Sequence, residues 1–160
     1  MSDLSIGDRA PDFSRPGSGG KTLTLGDYAG KYLVLYFYPK DDTPGCTKQA
    51  IGFTAMKSEF EALGAVIVGV SKDTPAKHDK FIAKHELGID LVSDDEDAGM
   101  ISSYGVWVEK NMYGRKYMGI ERATFLIGPD GEILQIWRKV RVKDHIEKVL
   151  DALKSHRSGQ

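Results

Sequence analysis

Cysteine is almost absent from this chain: among 160 residues there is one, Cys46. A lone cysteine excludes an intramolecular disulfide and a cysteine-rich zinc site, and with them the secreted scaffolds stapled by such links. It favours a reducing interior, and the expected location is the cytoplasm. A dominant charge is missing too. The 22 Lys and Arg are balanced by 23 Asp and Glu, a net charge of -1, so no whole-chain field attracts nucleic acid or an anionic membrane. Long hydrophobic runs are also absent. The longest, Tyr32 to Tyr38, falls far short of the roughly 20 residues of a membrane helix. The start, Met1 to Ser5, has neither the basic residues nor the apolar core of a signal peptide. No repeat or long linker divides the chain. The expectation is one soluble domain over residues 1–160, with a core at about 6–153 and a frayed polar tail at 155–160.

What is present alternates between strand and helix signals. Arg15 to Gly20 is rich in glycine and reads as a turn, and Lys21 to Leu25 alternates like a short strand. Tyr32 to Tyr38 is continuously apolar, as suits a central strand covered on both faces. Phe53, Met56, Phe60 and Leu63 recur at helical spacing, so Pro44 to Leu63 reads as one helix capped by Gly64. Val66 to Val70 is a second buried strand. Thr74-Pro75 opens a helix to about His85. Leu91 to Ser93 is a short strand, and Asp97 to Tyr104 a short helix. Ala123 to Ile127 and Ile133 to Trp137 flank the turn Pro129-Asp130-Gly131, a hairpin signal. Arg138 to Lys143 is basic and alternating, like a solvated edge strand. Lys143 to Leu153 is an amphipathic helix. The class is α/β: a mixed, thioredoxin-like sheet with helices on both faces.

Cys46 stands where the central strand gives way, through a loop with two prolines and a glycine, to the first turn of a helix. Ligand sites of α/β sheets lie beyond the carboxyl ends of strands. A helix N-terminus favours thiolate through its macrodipole and unpaired N–H groups, and thiolate is the species peroxides oxidise. The competing reading is an inert buried thiol. Thr43 is either an N-cap or a hydroxyl turned toward a bound substrate. Pro39 is either loop punctuation or a ring that keeps water from the sulfur. Arg122, at a strand start, reads by itself as an ordinary surface residue.

Pro39-x-x-x-Thr43-x-x-Cys46 resembles the active-site pattern of peroxiredoxins. The run Tyr36-Phe37-Tyr38-Pro39…Thr43-Pro44-Gly45-Cys46-Thr47 is similar to the bacterioferritin-comigratory, or Q-type, subfamily. So are Gly7-Asp8-x-Ala10-Pro11-x-Phe13, Val68-Gly69-Val70-Ser71-x-Asp73, Leu91-x-Ser93-Asp94, Tyr104-Gly105-Val106-Trp107 and Arg122-x-Thr124-Phe125-Leu126-Ile127. The resemblance implies an antioxidant peroxidase for hydrogen peroxide and small organic hydroperoxides, without a cofactor and monomeric. Cys46 would be the peroxidatic cysteine that becomes a sulfenic acid. Thr43 would hold the peroxide, Arg122 would stabilise charge, and the N–H groups around Gly45 and Cys46 would polarise the oxygens.

The chain departs from many Q-type members in lacking a resolving cysteine. Ile51 stands at the common position, five residues after Cys46, and no cysteine falls around Asp79 to Ala83. An outside thiol such as thioredoxin, glutaredoxin or glutathione must therefore reset Cys46. The alternative is a peroxide sensor that passes its oxidation to a partner by mixed disulfide.

Weaker signals are set aside. Gly20-Lys21-Thr22 lacks the earlier glycine of a phosphate loop, since Arg15 stands there. His78, His85, His145 and His156 lack metal spacing, and a Cys–His hydrolase would need one of them beside Cys46. Asp94-Asp95-Glu96-Asp97 reads as an exposed loop with a helix cap. Tyr104 and Trp107 read as packing residues.

Overall fold

The computed structural model describes residues 4–94 and 99–158. The chain opens with a small antiparallel pair, β1 (Ser14–Pro16) and β2 (Thr22–Thr24), joined by a 3-10 turn at Ser18–Gly20. So Arg15 and Pro16, expected in a turn, are strand residues. The Gly17 amide donates to the Lys21 carbonyl and closes the hairpin.

The central strand β3 (Tyr32–Phe37) is buried along its whole length, as a continuous apolar run demands. Then come α1 (Pro44–Ala55), α2 (Lys57–Ala62), β4 (Ala65–Ser71), α3 (Pro75–His85), β5 (Asp90–Ser93) and α4 (Gly99–Ser103). The expected single helix from Pro44 is thus bent at Met56. Neither proline nor glycine causes the bend, which falls where Gly88 packs on Thr54 and Lys57. Gly64 ends this stretch at φ 79°, a left-handed conformation that glycine adopts without cost. Thr74 caps α3 as expected, its hydroxyl accepting from the Lys77 amide.

β6 (Trp107–Met112) and β7 (Arg115–Ile120) form a separate hairpin that the sequence does not announce. β8 (Ala123–Ile127) and β9 (Ile133–Trp137) form the expected hairpin around Pro129-Asp130-Gly131. The main sheet runs β5-β4-β3-β8-β9, parallel among β5, β4 and β3 and antiparallel through β8 and β9.

Arg138 to Lys143 is not the edge strand its alternation suggests. Glu121 accepts from the Arg138 guanidinium and the Lys139 amide, Lys139 takes φ 49°, and the chain leaves the sheet after β9. α5 (His145–Ser158) closes the described chain. Its last turn takes in residues 155–158 of the polar tail, and His156 and Arg157 there suit the negative end of the helix dipole.

Strand alternation splits the core. Leu33, Leu35 and Phe37 of β3 face Met100 and Ile101 of α4, with Phe13 and Tyr28. Tyr32, Val34 and Tyr36 face α1, α2, α3 and α5 through Phe53, Phe60, Phe81 and Val149. Among the described residues no helix is long and apolar enough to cross a membrane. Asp94, expected in an exposed loop, is instead buried: it pairs with Arg15 at 3.0 Å and accepts from the Ile101 amide of α4 at 2.9 Å. The rest of the acidic run, 95–97, with the expected start of the short helix at Asp97, lies outside the described residues.

Candidate active site

β3 delivers the chain to the carboxyl edge of the sheet, and the loop 38–43 carries it into α1. Cys46 is the third residue of α1 and is 1% exposed. It lies in an aromatic floor where Tyr36 stacks on Phe53 at 4.8 Å between ring centres. Gly69 admits this ring, since a Cβ there would lie 3.0 Å from the Tyr36 hydroxyl. Burial, then the charges of Cys46 and Asp41, raise the Tyr36 phenol well above its usual range, with Arg122 opposing, so it stays neutral.

Arg122 immediately precedes β8, the antiparallel neighbour of β3, and this pairing sends its side chain toward α1. Nη2 donates to Cys46 Sγ at 3.3 Å and Nη1 donates to Gln49 Oε1 at 2.7 Å. Its backbone carbonyl accepts from the Val140 amide at 2.9 Å. Gly45 leaves the necessary room: a Cβ there would stand 3.3 Å from Nη2. A fixed positive charge therefore sits beside the sulfur. The ordinary surface reading of Arg122 does not hold.

The sequence reading does not single out Gln49. The signal was its place three residues after Cys46 on one helix face, a polar residue on the side turned inward. It is 0% exposed and accepts from one edge of the guanidinium. Gln49→Leu removes an acceptor for a charged donor. We expect oxidation of Cys46 by peroxide to slow by about tenfold in a stopped-flow experiment, with Gln49→Glu restoring most of the rate.

Thr43 occupies the N-cap position, but its side chain makes no capping bond, which corrects the simpler of its two readings. Its hydroxyl donates to the Lys40 carbonyl at 2.9 Å. Its lone pairs are not spent on the helix. The amides of Gly45 and Cys46 are among the first-turn donors that α-helix geometry leaves without intrahelical acceptors. Pro44 has no amide hydrogen to add. Pro39 is half-buried and follows Tyr38 at the end of the central strand. Ile51, where a resolving cysteine would stand, is 45% exposed. Asp79 and Ala83 are exposed on α3.

The loop is tied down from behind. Asp41 accepts from the Tyr38 hydroxyl at 2.5 Å and pairs with His78 Nδ1 at 2.7 Å, while its amide donates to Asp73 at 2.7 Å. Ser71 donates to the same Asp73 oxygen. Asp42, at φ 60°, pairs with His85 and Lys84, which hold its carboxyl below the usual range. Ser71 and Asp73 appear in the sequence only as part of a motif, and the structure shows what they hold.

Two further groups feel the site. His145 is buried and shares a 2.8 Å hydrogen bond with Thr124; burial, then Lys148 and Arg122, lower its pKa to about 4, so it is neutral at physiological pH. Lys110 of β6 is held below the usual lysine range by burial and by Arg122, with Cys46 and Glu121 opposing. His78, His85 and His145 bond to Asp41, Asp42 and Thr124, and the side chain that bonds to Cys46 Sγ is Arg122, so none of these three histidines forms the Cys–His hydrolase arrangement. Among the described residues no three His, Cys, Asp or Glu side chains gather as metal ligands.

Residues 6–136 match the AhpC/TSA family. Peroxiredoxin Bcp of Bacillus subtilis is 50% identical over 151 residues, 94% of this chain and 96% of its own length. Peroxiredoxin Q of Xanthomonas campestris superposes with a TM-score of 0.86 at 48% identity, covering 91% of each chain. The bacterioferritin comigratory protein of the same organism, known for alkyl peroxide reduction activity, matches at the same TM-score and identity over 91% of this chain and 92% of its own.

Proposed function

We propose, since this chain belongs to the AhpC/TSA family and is a thioredoxin-fold peroxiredoxin of the Bcp or Q type, that it reduces hydrogen peroxide and small organic hydroperoxides by a one-cysteine cycle on Cys46. The observation that carries this reading is the guanidinium of Arg122 at 3.3 Å from Sγ, fixed by Gln49 at its other edge.

The thiolate attacks one peroxide oxygen. The S–O bond forms, the O–O bond breaks, and the departing oxygen takes a proton and leaves as water or an alcohol. The Thr43 hydroxyl and the amides of Gly45 and Cys46 hold the oxygens, Arg122 offsets the charge that develops on them, and Pro39 shields the sulfur. Cys46 is left as sulfenic acid. With a single cysteine in the chain, an outside thiol then attacks that sulfur, and a second thiol releases Cys46. The protein acts in the cytoplasm as a monomeric scavenger built as one domain.

The test is peroxide consumption in the presence and absence of an added thiol. Sustained turnover with thiol supports scavenging. One stoichiometric oxidation followed by a stall under every reductant supports the relay to a partner instead. Intact mass across a peroxide titration adds a second expected outcome. Without a resolving thiol the sulfenic acid passes on to sulfinic acid, seen as a gain of about 32 Da. A plateau at one added oxygen under excess peroxide would contradict this.

A further inference from the structure

We propose that the basic cavity behind Arg122 seats the reducing thiol, and that this thiol is a small anionic one: a peptide thiol carrying carboxylates. The inference rests on the reading that an outside thiol resets Cys46.

The cavity is a product of the turn after β9. With Lys139 at φ 49° and Asp144 at φ 62°, the segment 138–144 curls away from the sheet instead of extending it. It borders an open cavity of about 620 Å³ whose walls include Trp137, Val140, Arg141, Lys143, His145 and Lys148. Arg141, Lys143 and Lys148 are exposed, and none forms an ion pair with a carboxylate among the described residues. Arg138, by contrast, is committed to Glu121. In a chain of net charge -1 this is a local concentration of positive charge, with Asp144 as the acidic residue of the wall.

Its position gives the cavity a purpose. Val140 of its wall donates to the backbone carbonyl of Arg122, whose guanidinium touches Cys46 Sγ. The wall is thus tied by one hydrogen bond to the residue whose side chain touches the sulfur. His145 of the same wall packs edge-on against Phe53 of α1, the helix that carries Cys46. Apart from Ile136, the lining falls beyond the residues matched to the family.

Size and access select the occupant. A volume of about 620 Å³ falls in the range of small-molecule pockets. A slender thiol suits a sulfur that is 1% exposed beneath Arg122. A thiol with two carboxylates can place them on Arg141, Lys143 and Lys148 and extend its sulfur inward. Its thiolate attacks the sulfenic sulfur of Cys46. An S–S bond forms, the S–O bond breaks, and hydroxide takes a proton and leaves as water. A second molecule of the same thiol attacks the sulfur of the first, releasing Cys46 as thiolate and the oxidised thiol as its disulfide.

The experiment compares reduced glutathione, an anionic peptide thiol, with 2-mercaptoethanol, a neutral one, as reductants of the peroxide-oxidised protein. In the variant Arg141→Glu/Lys143→Glu/Lys148→Glu, the ratio of the KM for glutathione to the KM for 2-mercaptoethanol is expected to rise at least about tenfold. In the unaltered protein the same ratio is expected to rise with added salt, a readout that needs no variant. A ratio that moves under neither change overturns the proposal, as does a wild-type protein that accepts thioredoxin and ignores glutathione. Dimedone trapping of the sulfenic acid on Cys46 is run alongside. Trapping without a shift in the ratio removes the docking site and leaves the peroxidase cycle standing. No trapping at all removes the cycle, and the docking site with it.

Discussion

Cys46→Ser is expected to lose peroxide turnover down to the solution background, a fall of at least about 10⁴-fold, the scale on which loss of a sole nucleophile acts. A serine hydroxyl does not ionise at neutral pH and has no sulfenic state to store the transferred oxygen. Packing, by contrast, is barely disturbed. The replacement is nearly the same size, the site is 1% exposed, and Arg122 and the first-turn amides remain for the hydroxyl to meet. Stability should therefore change by no more than about 1–2 kcal/mol, and urea melts should nearly superimpose. The pairing of lost turnover with a retained fold is the discriminating result. Peroxide consumption that survives in the serine variant would place the chemistry elsewhere.

Arg122→Met carries the second large effect. It removes the positive charge at 3.3 Å from the sulfur and leaves Gln49 Oε1 buried without its donor. Losing one preorganised donor from a transition state costs about 10²–10³-fold in rate. Arg122→Lys keeps the charge and loses the fork that touches Sγ and Gln49 together, so it should fall between wild type and Arg122→Met. Single-turnover stopped-flow oxidation measures all three. The bond from the Val140 amide goes to the backbone of Arg122 and survives both changes, so the segment 138–144 keeps its course. Equal rates for the three proteins would mean that the guanidinium does not act on the reacting oxygens.

Much of this was legible in sequence because the burial it depends on is regular. Tyr32 to Phe37 is apolar on both faces and became the middle strand of the sheet. Thr74-Pro75 and Pro129-Asp130-Gly131 carry local chemistry that fixes a cap and a turn. The β6–β7 hairpin escaped because most of its side chains are exposed or half-exposed on both faces, which leaves no alternation to read. Arg138 to Lys143 alternates like a strand, yet Glu121, distant by a hairpin in sequence, binds its first two residues and turns it. Gln49 and the turned hydroxyl of Thr43 belong to the same class: each depends on a partner, Arg122 or the Lys40 carbonyl, that no spacing rule places. Composition named the nucleophile, and only tertiary geometry supplied what surrounds it.

The residue at position 51 also bears on motion. A disulfide between positions 46 and 51 would have to join points separated by about 7.5 Å along an intact helix, beyond ordinary disulfide reach, so that chemistry requires the helix to uncoil in every cycle. With Ile51 there, no disulfide within this helix asks α1 to open. Its first turn can keep its amides aimed at the sulfur from one turnover to the next. In the proposed cycle, recovery then waits on a thiol reaching the buried sulfur, rather than on a disulfide closing across a melted helix.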